Sequence, residues 1–314
     1  MINPDRPSSA LGEGQGWGLI LIVVIGFLLV ACQTGPPSVS LALLGDLMIG
    51  RGVDADLASL SYLAPELQAA DLSLANLESP LAKLPPASGS GTGYNLCAPA
   101  SRAGLFSTWG LDLLSLANNH RFDCGPDGPS ETARILNMVG LATIGPGPGA
   151  LYREIHGLKL AFLAFDDVSA PMDVESAVRA IQSARAEGAE VVVSLHLGAE
   201  YQAGTTNRQK ALAQQMAQAG AALIVGTHPH VLQPAAWIRT AGGKVLVLYS
   251  LGNALFDQPG LPDTRQSALV VVRLDAHGVQ SVRAVPFVIN VAGSRVEAPE
   301  VQAAQQILNR INLP

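Results

Sequence analysis

Two of the six histidines, His228 and His230, lie one residue apart in Val225-Gly226-Thr227-His228-Pro229-His230. Imidazole is the commonest side-chain metal ligand. The pair follows an apolar run, residues 221–225, that reads as a buried strand delivering it to a strand-end loop, where α/β folds place their chemistry. A His-x-His alone is a frequent coincidence, so the reading depends on partners elsewhere. Other apolar runs end in the same way: 39–44 runs into Asp46, 72–77 into Glu78, 111–116 into Asn118, Asn119, His120 and Asp123, and 190–195 into His196. Taken singly, Asp46 reads equally as a helix cap, Glu78 as a solvated carboxylate, and the paired asparagines as a turn. Taken together, Asp46, Glu78, Asn119, His120, His196, His228 and His230 supply the carboxylates, amide oxygen and imidazoles of a two-metal hydrolase. Such sites hold two cations about 4 Å apart that activate water and stabilise in-line displacement at phosphorus. A mixed nitrogen and oxygen set suits Mn, Fe or Zn better than Ca.

Strand-like and helix-like segments alternate through the first half of the body, which predicts α/β layers. Helices are expected over 57–69 (despite Pro65), 100–108, 128–139 (capped near Ser130), 174–187, 207–219 and 300–311. Hairpins are expected around His156-Gly157, across 240–243 and across 275–278, which makes His277 a turn residue. Residues 84–93, rich in Pro, Gly and Ser, read as a surface loop, and Asp166-Asp167 as a turn. Alternation followed by hairpins predicts two stacked mixed sheets flanked by helices.

The chain of 314 residues is 48% hydrophobic and 14% charged, a globular composition with room for a large core. A net charge of −6 with no basic stripe argues against nucleic-acid binding. Near the N-terminus, residues 19–30 form an apolar run that is shorter than the roughly 20 residues of a spanning helix and has the length of a signal-peptide core. It ends in Leu29-Val30-Ala31-Cys32, which resembles a bacterial lipobox. That resemblance implies cleavage before Cys32 and lipid on its thiol, and the alternative is an uncleaved membrane anchor. Either reading places the body outside the cytoplasm, with 1–32 as signal or anchor, 33–38 as a tether and 39–314 as the folded domain. Cys97 and Cys124 remain, to be read as a disulfide or as two buried thiols.

Six motifs, in order, resemble the CapA family, the poly-γ-glutamate capsule synthesis proteins, which are similar to calcineurin-type metallophosphoesterases. They are Gly45-Asp46 with Arg51, Asn76-Leu77-Glu78-Ser79-Pro80, Leu116-Ala117-Asn118-Asn119-His120 with Asp123 and Gly125, His196-Leu197-Gly198-Ala199-Glu200-Tyr201, Gly226-Thr227-His228-Pro229-His230, and Ser250-Leu251-Gly252-Asn253. The resemblance implies a metallophosphoesterase-like four-layer α/β/β/α sandwich of two mixed sheets. It further implies that Asp46 and His230 bind one metal, that Glu78 bridges, that Asn119, His196 and His228 bind a second, and that His120 protonates the leaving group. Arg51, Asn76, Asn118, Asp123, Glu200, Tyr201 and Asn253 would line the pocket. Three positions depart from the pattern. Met48 stands where the phosphoesterases carry a histidine, Glu78 where they carry a bridging aspartate, and Leu197 where the CapA family usually has tryptophan. Two functions follow as expectations. One is a metal-dependent hydrolase acting in envelope polymer synthesis; the other is a non-catalytic binding or export subunit. Either would work beside the membrane, with polymer-synthesis membrane proteins and an anionic polymer as partners.

Overall fold

The computed structural model describes residues 36–85 and 94–313. The expected signal or anchor segment, Cys32, the first half of the tether and most of the 84–93 loop lie outside these residues. From Pro37 onward the chain forms one compact unit. In chain order its elements are β1 (Ser38–Leu47), α1 (Ala64–Ala69), β2 (Leu72–Leu77), β3 (Leu81–Ala82), β4 (Ala98–Pro99), α2 (Ala103–Thr108), β5 (Leu113–Ser115), α3 (Gly128–Met138) and β6 (Ala142–Ile144). The second half contributes β7 (Gly147–Ile155), β8 (Leu158–Asp166), α4 (Val174–Ala186), β9 (Glu190–His196), α5 (Asn207–Ala219) and β10 (Ala221–Thr227). It ends with β11 (Leu232–Thr240), β12 (Gly243–Leu251), β13 (Asn253–Leu255), β14 (Gln266–Asp275), β15 (Gly278–Ile289), β16 (Val296–Glu297) and α6 (Val301–Ile311).

Among the described residues the strands form two large mixed sheets and a two-stranded ribbon, β3 with β4. The first sheet runs β16-β15-β14-β1-β2-β5-β6, with β13 also pairing β1, and the second runs β11-β12-β10-β9-β8-β7. In the first sheet β1, β2, β5 and β6 are parallel neighbours joined by helices, and β14, β15 and β16 add antiparallel on one side. In the second β8, β9 and β10 are parallel and joined by helices, β12 lies parallel to β10, and the edge strands β7 and β11 pair antiparallel. Helical crossovers are what parallel neighbours require.

Period-two alternation sorts the side chains into layers. On β1, Val39, Leu41 and Leu43 face the second sheet, where they meet Leu160, Phe162, Leu223 and Leu246. Ala42 and Leu44 face outward, onto a layer with Leu67, Phe106, Trp109 and Leu136. On the far side, Ala161, Leu163, Val191 and Val193 pack against Ile181, Leu212 and Met216 of α4 and α5. The result is the expected four-layer α/β/β/α sandwich. Ile307 and Ile311 of α6 join the layer between the sheets.

Two helix expectations need correction. The helix expected over 57–69 is confined to α1, because Pro65 sits in its first turn, where its missing N–H is tolerated, and 57–63 form turns. Ser130 does not cap α3. Pro129 sets the start earlier, so Asp127 takes the cap position and Ser130 Oγ instead donates to the Asp127 carbonyl at 2.8 Å.

One irregularity in β1 matters for the site. Leu43 pairs with Leu74 and Asp46 with Asn76, so three residues of β1 advance against two of β2. Strict alternation would turn Asp46 outward with Ala42 and Leu44. The bulge turns it inward and puts Leu47 in the outer apolar layer instead. Gly45 lies at this point because the chain after β12 crosses it closely: a Cβ there would sit 1.8 Å from the Gly252 carbonyl oxygen.

Candidate metal centre

The parallel strands β1, β2 and β5 of one sheet and β8, β9 and β10 of the other end on the same edge, and register aligns their terminal residues. Asp46 pairs with Asn76, and Asn76 with Ser115; Asp166 pairs with His196, and His196 with Thr227. Arg121, from the loop after β5, bonds Asp166 at the end of β8 and so ties the two edges together.

Asp46 is fully buried. Its carboxylate accepts from Asn76 Nδ2 at 2.8 Å and from the His228 backbone N–H at 3.0 Å, and lies 3.5 Å from His230 Nδ1. Asn76 Nδ2 also lies 3.2 Å from His196 Nδ1. The far side of that ring, Nε2, sits 2.8 Å from Asn119 Oδ1 and 3.9 Å from Glu78 Oε1. His228 packs edge-on against His196 at 4.8 Å between centroids. Asn253 Nδ2 donates to Gln258 and to the Thr264 carbonyl, so its Oδ1, 2.9 Å from His230 Nδ1, accepts. That contact places the ring proton of His230 on Nδ1 and a lone pair on Nε2.

Burial dominates the titration of every group in this core. It raises the Asp46 pKa to about 6, against the lowering effect of the Asn76 and His228 hydrogen bonds. It raises Glu78 well above the ordinary carboxylate value, and the neighbouring Asp46 charge raises it further. Burial holds His196 well below the usual imidazole range, aided by the His228 and His230 charges, and lowers His228 as well. His230 is pushed down to about 3 by burial, against its bond to Asn253. All three imidazoles are therefore neutral at pH 7, the form that ligates metal.

The residues fit a divalent centre. Both Glu78 carboxylate oxygens are buried and accept no hydrogen bond, so only a proton shared with Asp46 or a cation would satisfy the ionised group. Asp46, Glu78 and His196 each offer a ligand atom within 4.8 Å of the others, and so do Glu200, His228 and His230. This grouping differs from the one the resemblance implies. Glu78 and Asp46 gather with His196, while His228 joins His230, and Glu200 joins them from the pocket wall.

His120 lies at the edge of this cluster, partly exposed, with Nδ1 2.9 Å from Asp123 Oδ2. Asp123 also accepts from the Leu96 N–H at 2.7 Å, and a disulfide joins Cys97 to Cys124, with Cα atoms 5.1 Å apart. The 95–97 segment and the His120 turn are thus fastened together. Asn118 supports from behind: its Nδ2 donates to Asn76 Oδ1 and the Leu77 carbonyl, and its Oδ1 accepts from the His120 N–H. Arg51 sits over Tyr94 and Phe256 and pairs with Asp257. Tyr201 stacks on His230. Met48 is buried in the outer apolar layer, its thioether accepting from the Gly50 N–H, and supplies nothing to the site.

Thr227 and Gln258 escaped the sequence reading. Thr227 Oγ1 lies 3.0 Å from His196 Nδ1, and Gln258 bonds both Asn253 and the Tyr201 hydroxyl. Thr227 could have been found as the inward position after Leu223 and Val225; Gln258 carried no signal.

The model for the family "Bacterial capsule synthesis protein PGA_cap" matches residues 40–258, which carry every site residue described above. The chain is 32% identical over 280 residues to the PGA biosynthesis protein CapA of Bacillus subtilis (strain 168), covering 81% of this chain and 72% of that protein. It is 29% identical over 279 residues to the capsule biosynthesis protein CapA of Bacillus anthracis, covering 79% and 67%. A crystal structure of a hypothetical protein from Thermus thermophilus shares the fold, with a TM-score of 0.52 at 17% identity over 79% of this chain and 99% of that one. The ordered motifs, the four-layer sandwich and the match over residues 40–258 together make this chain a member of the bacterial capsule synthesis protein family PGA_cap.

Proposed function

We propose that this chain is a lipid-anchored, extracytoplasmic protein of capsule or related envelope-polymer synthesis that acts as a metal-dependent hydrolase of metallophosphoesterase type. The observation that carries the reading is Glu78: a buried carboxylate with no hydrogen-bond donor, set beside a second buried carboxylate and three neutral imidazoles. Asp46, Glu78, Asn119, His196, His228 and His230 would hold the cations. Bound there, divalent cations would act as Lewis acids on the negative charge that develops at the oxygens of a displaced ester. The chain's own groups do the rest. Asp123 accepts the Nδ1–H of His120, orients the ring and would stabilise its imidazolium form, whose Nε2 proton would pass to a leaving group and leave the neutral imidazole. Arg51, at the mouth, offers a cation to an anionic substrate. The placement outside the cytoplasm draws on the lipobox-like Cys32, the Cys97–Cys124 disulfide and the capsule-related names of the relatives.

One observation favours a second reading. With Met48 buried in the apolar layer, the centre lacks one imidazole of the phosphoesterase pattern, which would suit a non-catalytic binding or export subunit with a single structural metal. The discriminating experiment measures metal content and hydrolysis of a generic phosphodiester for the wild type and His228→Ala. The hydrolase reading expects bound metal and a turnover that falls at least about a hundredfold in the variant, since ligand loss disables the centre. Metal without turnover selects the subunit reading. If wild type and variant show the same metal content and turnover, the site is misassigned.

A further inference from the structure

Glu200 is exposed, yet its carboxylate is within ligand distance of the two buried histidines His228 and His230. It sits in the loop after β9, and that loop is fastened to the histidine loop at several points. The Tyr201 N–H donates to the Pro229 carbonyl at 2.9 Å, the Tyr201 ring stacks on His230 with 5.9 Å between centroids, and Gln258 Nε2 donates to the Tyr201 hydroxyl at 3.2 Å. Tyr201, His228 and His230 all hold positive φ, at 61°, 98° and 60°. Three non-glycine residues in the left-handed region cost free energy, which the surrounding contacts must offset, and such strain gathers at functional sites. A loop held this way keeps its carboxylate facing the imidazoles instead of solvent.

Counting charge separates two positions. Asp46, Glu78 and His196 bring two carboxylates and a neutral imidazole, all fully buried. Glu200, His228 and His230 bring one carboxylate and two neutral imidazoles, open to solvent at the glutamate. The groups adjoin, with Asp46 3.5 Å from His230 and His196 against His228. Fewer anionic ligands and a solvent-facing side make the second position weaker and faster to exchange.

We propose that Glu200 is a metal ligand, completing with His228 and His230 an outer, exchangeable divalent-cation position beside the buried position of Asp46, Glu78 and His196. This rests on the metal-centre reading above and deepens it, for it assigns the outer position a carboxylate from the β9 loop.

The test uses the full chain in mild detergent, with Mn²⁺ alone as probe. Bound metal is counted by equilibrium dialysis with elemental analysis, and pairing is read by electron paramagnetic resonance. The wild type is expected to take two Mn²⁺ with unequal affinity and to show a spin-coupled spectrum. Glu200→Gln should keep the tight ion, lose at least about tenfold in affinity for the second, and show an isolated six-line spectrum. Glu200→Asp, which keeps the carboxylate, should recover part of the loss, and circular dichroism confirms that each variant is folded. A Glu200→Gln protein that binds two Mn²⁺ with wild-type affinities overturns the proposal. So does a wild type with a single Mn²⁺ that is lost in Glu78→Gln but not in Glu200→Gln, an outcome that leaves the buried position standing. A wild type that takes up no Mn²⁺ overturns both this proposal and the metal-centre reading.

Discussion

At the scale of single residues the buried carboxylates set the pH behaviour. A carboxyl whose folded pKa lies above its unfolded value contributes its full stability below the unfolded value, and that contribution is lost as pH rises through the folded one. For Asp46 the loss runs from about pH 4 to about 6, and for Glu78 it extends higher. The imidazoles act oppositely. His196, His228 and His230 are held below the usual value, so below about pH 6.5 the unfolded chain takes up protons that the folded chain refuses. Glu78→Gln removes one carboxylate contribution and leaves the imidazoles in place. In chelator at pH 7.5 this variant should melt several degrees above the wild type, the gap should shrink toward pH 4.5, and the rise in melting temperature that Mn²⁺ confers on the wild type should fall to what the outer position alone supplies. Scanning fluorimetry with and without Mn²⁺ reads all three. A variant still stabilised by Mn²⁺ as much as the wild type would remove Glu78 from the centre.

At the scale of elements, the centre is built where strand ends hand over to loops, so its rigidity depends on how those loops are tied. The His120 turn is tied by Asp123 to the Leu96 N–H and by the Cys97–Cys124 disulfide, which closes a loop with a sequence separation of 27. Loop-closure entropy for that separation is worth about 3–4 kcal/mol. Replacing both cysteines by serine should lower unfolding free energy in denaturant by about that amount, and a reducing agent should do the same to the wild type. If His120 is the proton donor, turnover should fall with the tie, while the buried metal position keeps its ion. An unfolding midpoint that moves with neither treatment would show that the bond adds nothing to stability.

At the scale of the whole molecule the proposed lipid anchor makes a prediction about Cys32. No helix among the described residues is long and apolar enough to cross a bilayer. Residues 1–35 lie outside that description, and Cys32 with them. A single lipid chain binds a membrane only marginally, so a diacylated cysteine is the anchor this reading needs. Cys32→Ser should abolish incorporation of radiolabelled palmitate and leave an unprocessed, heavier chain, whereas the wild type should run at the mature mass in the membrane fraction. Equal masses for the two, with both chains membrane-bound and neither labelled, would establish the uncleaved anchor instead.

Much of this was legible in the sequence, because period-two alternation carries the facing of each strand up to its end. Leu72, Leu74 and Asn76 share one face of β2, and Val192, Ser194 and His196 share one face of β9, so apolar spacing already pointed Asn76 and His196 inward. Two stacked mixed sheets flanked by helices followed from the order of strand-like, helix-like and hairpin segments, and the four-layer sandwich from the family resemblance. Three things did not. Asp46 would turn the wrong way by alternation, and it faces the site only because of a bulge set by pairing with β2, a contact with a strand some 30 residues on. The Cys97–Cys124 bond required knowing that the 95–97 segment lies over the His120 turn. Glu200 meets His228 and His230 because β9 and β10 are neighbours in one sheet, whereas the grouping of Asp46 and Glu78 with His196 depends on the second sheet stacking over the first. Chain order cannot express that relation: distance between residues on different sheets is set by packing between layers, and no local pattern encodes it. The sequence by itself determined which residue types stand at the strand ends; only the tertiary structure decided which of them come within ligand distance of one another.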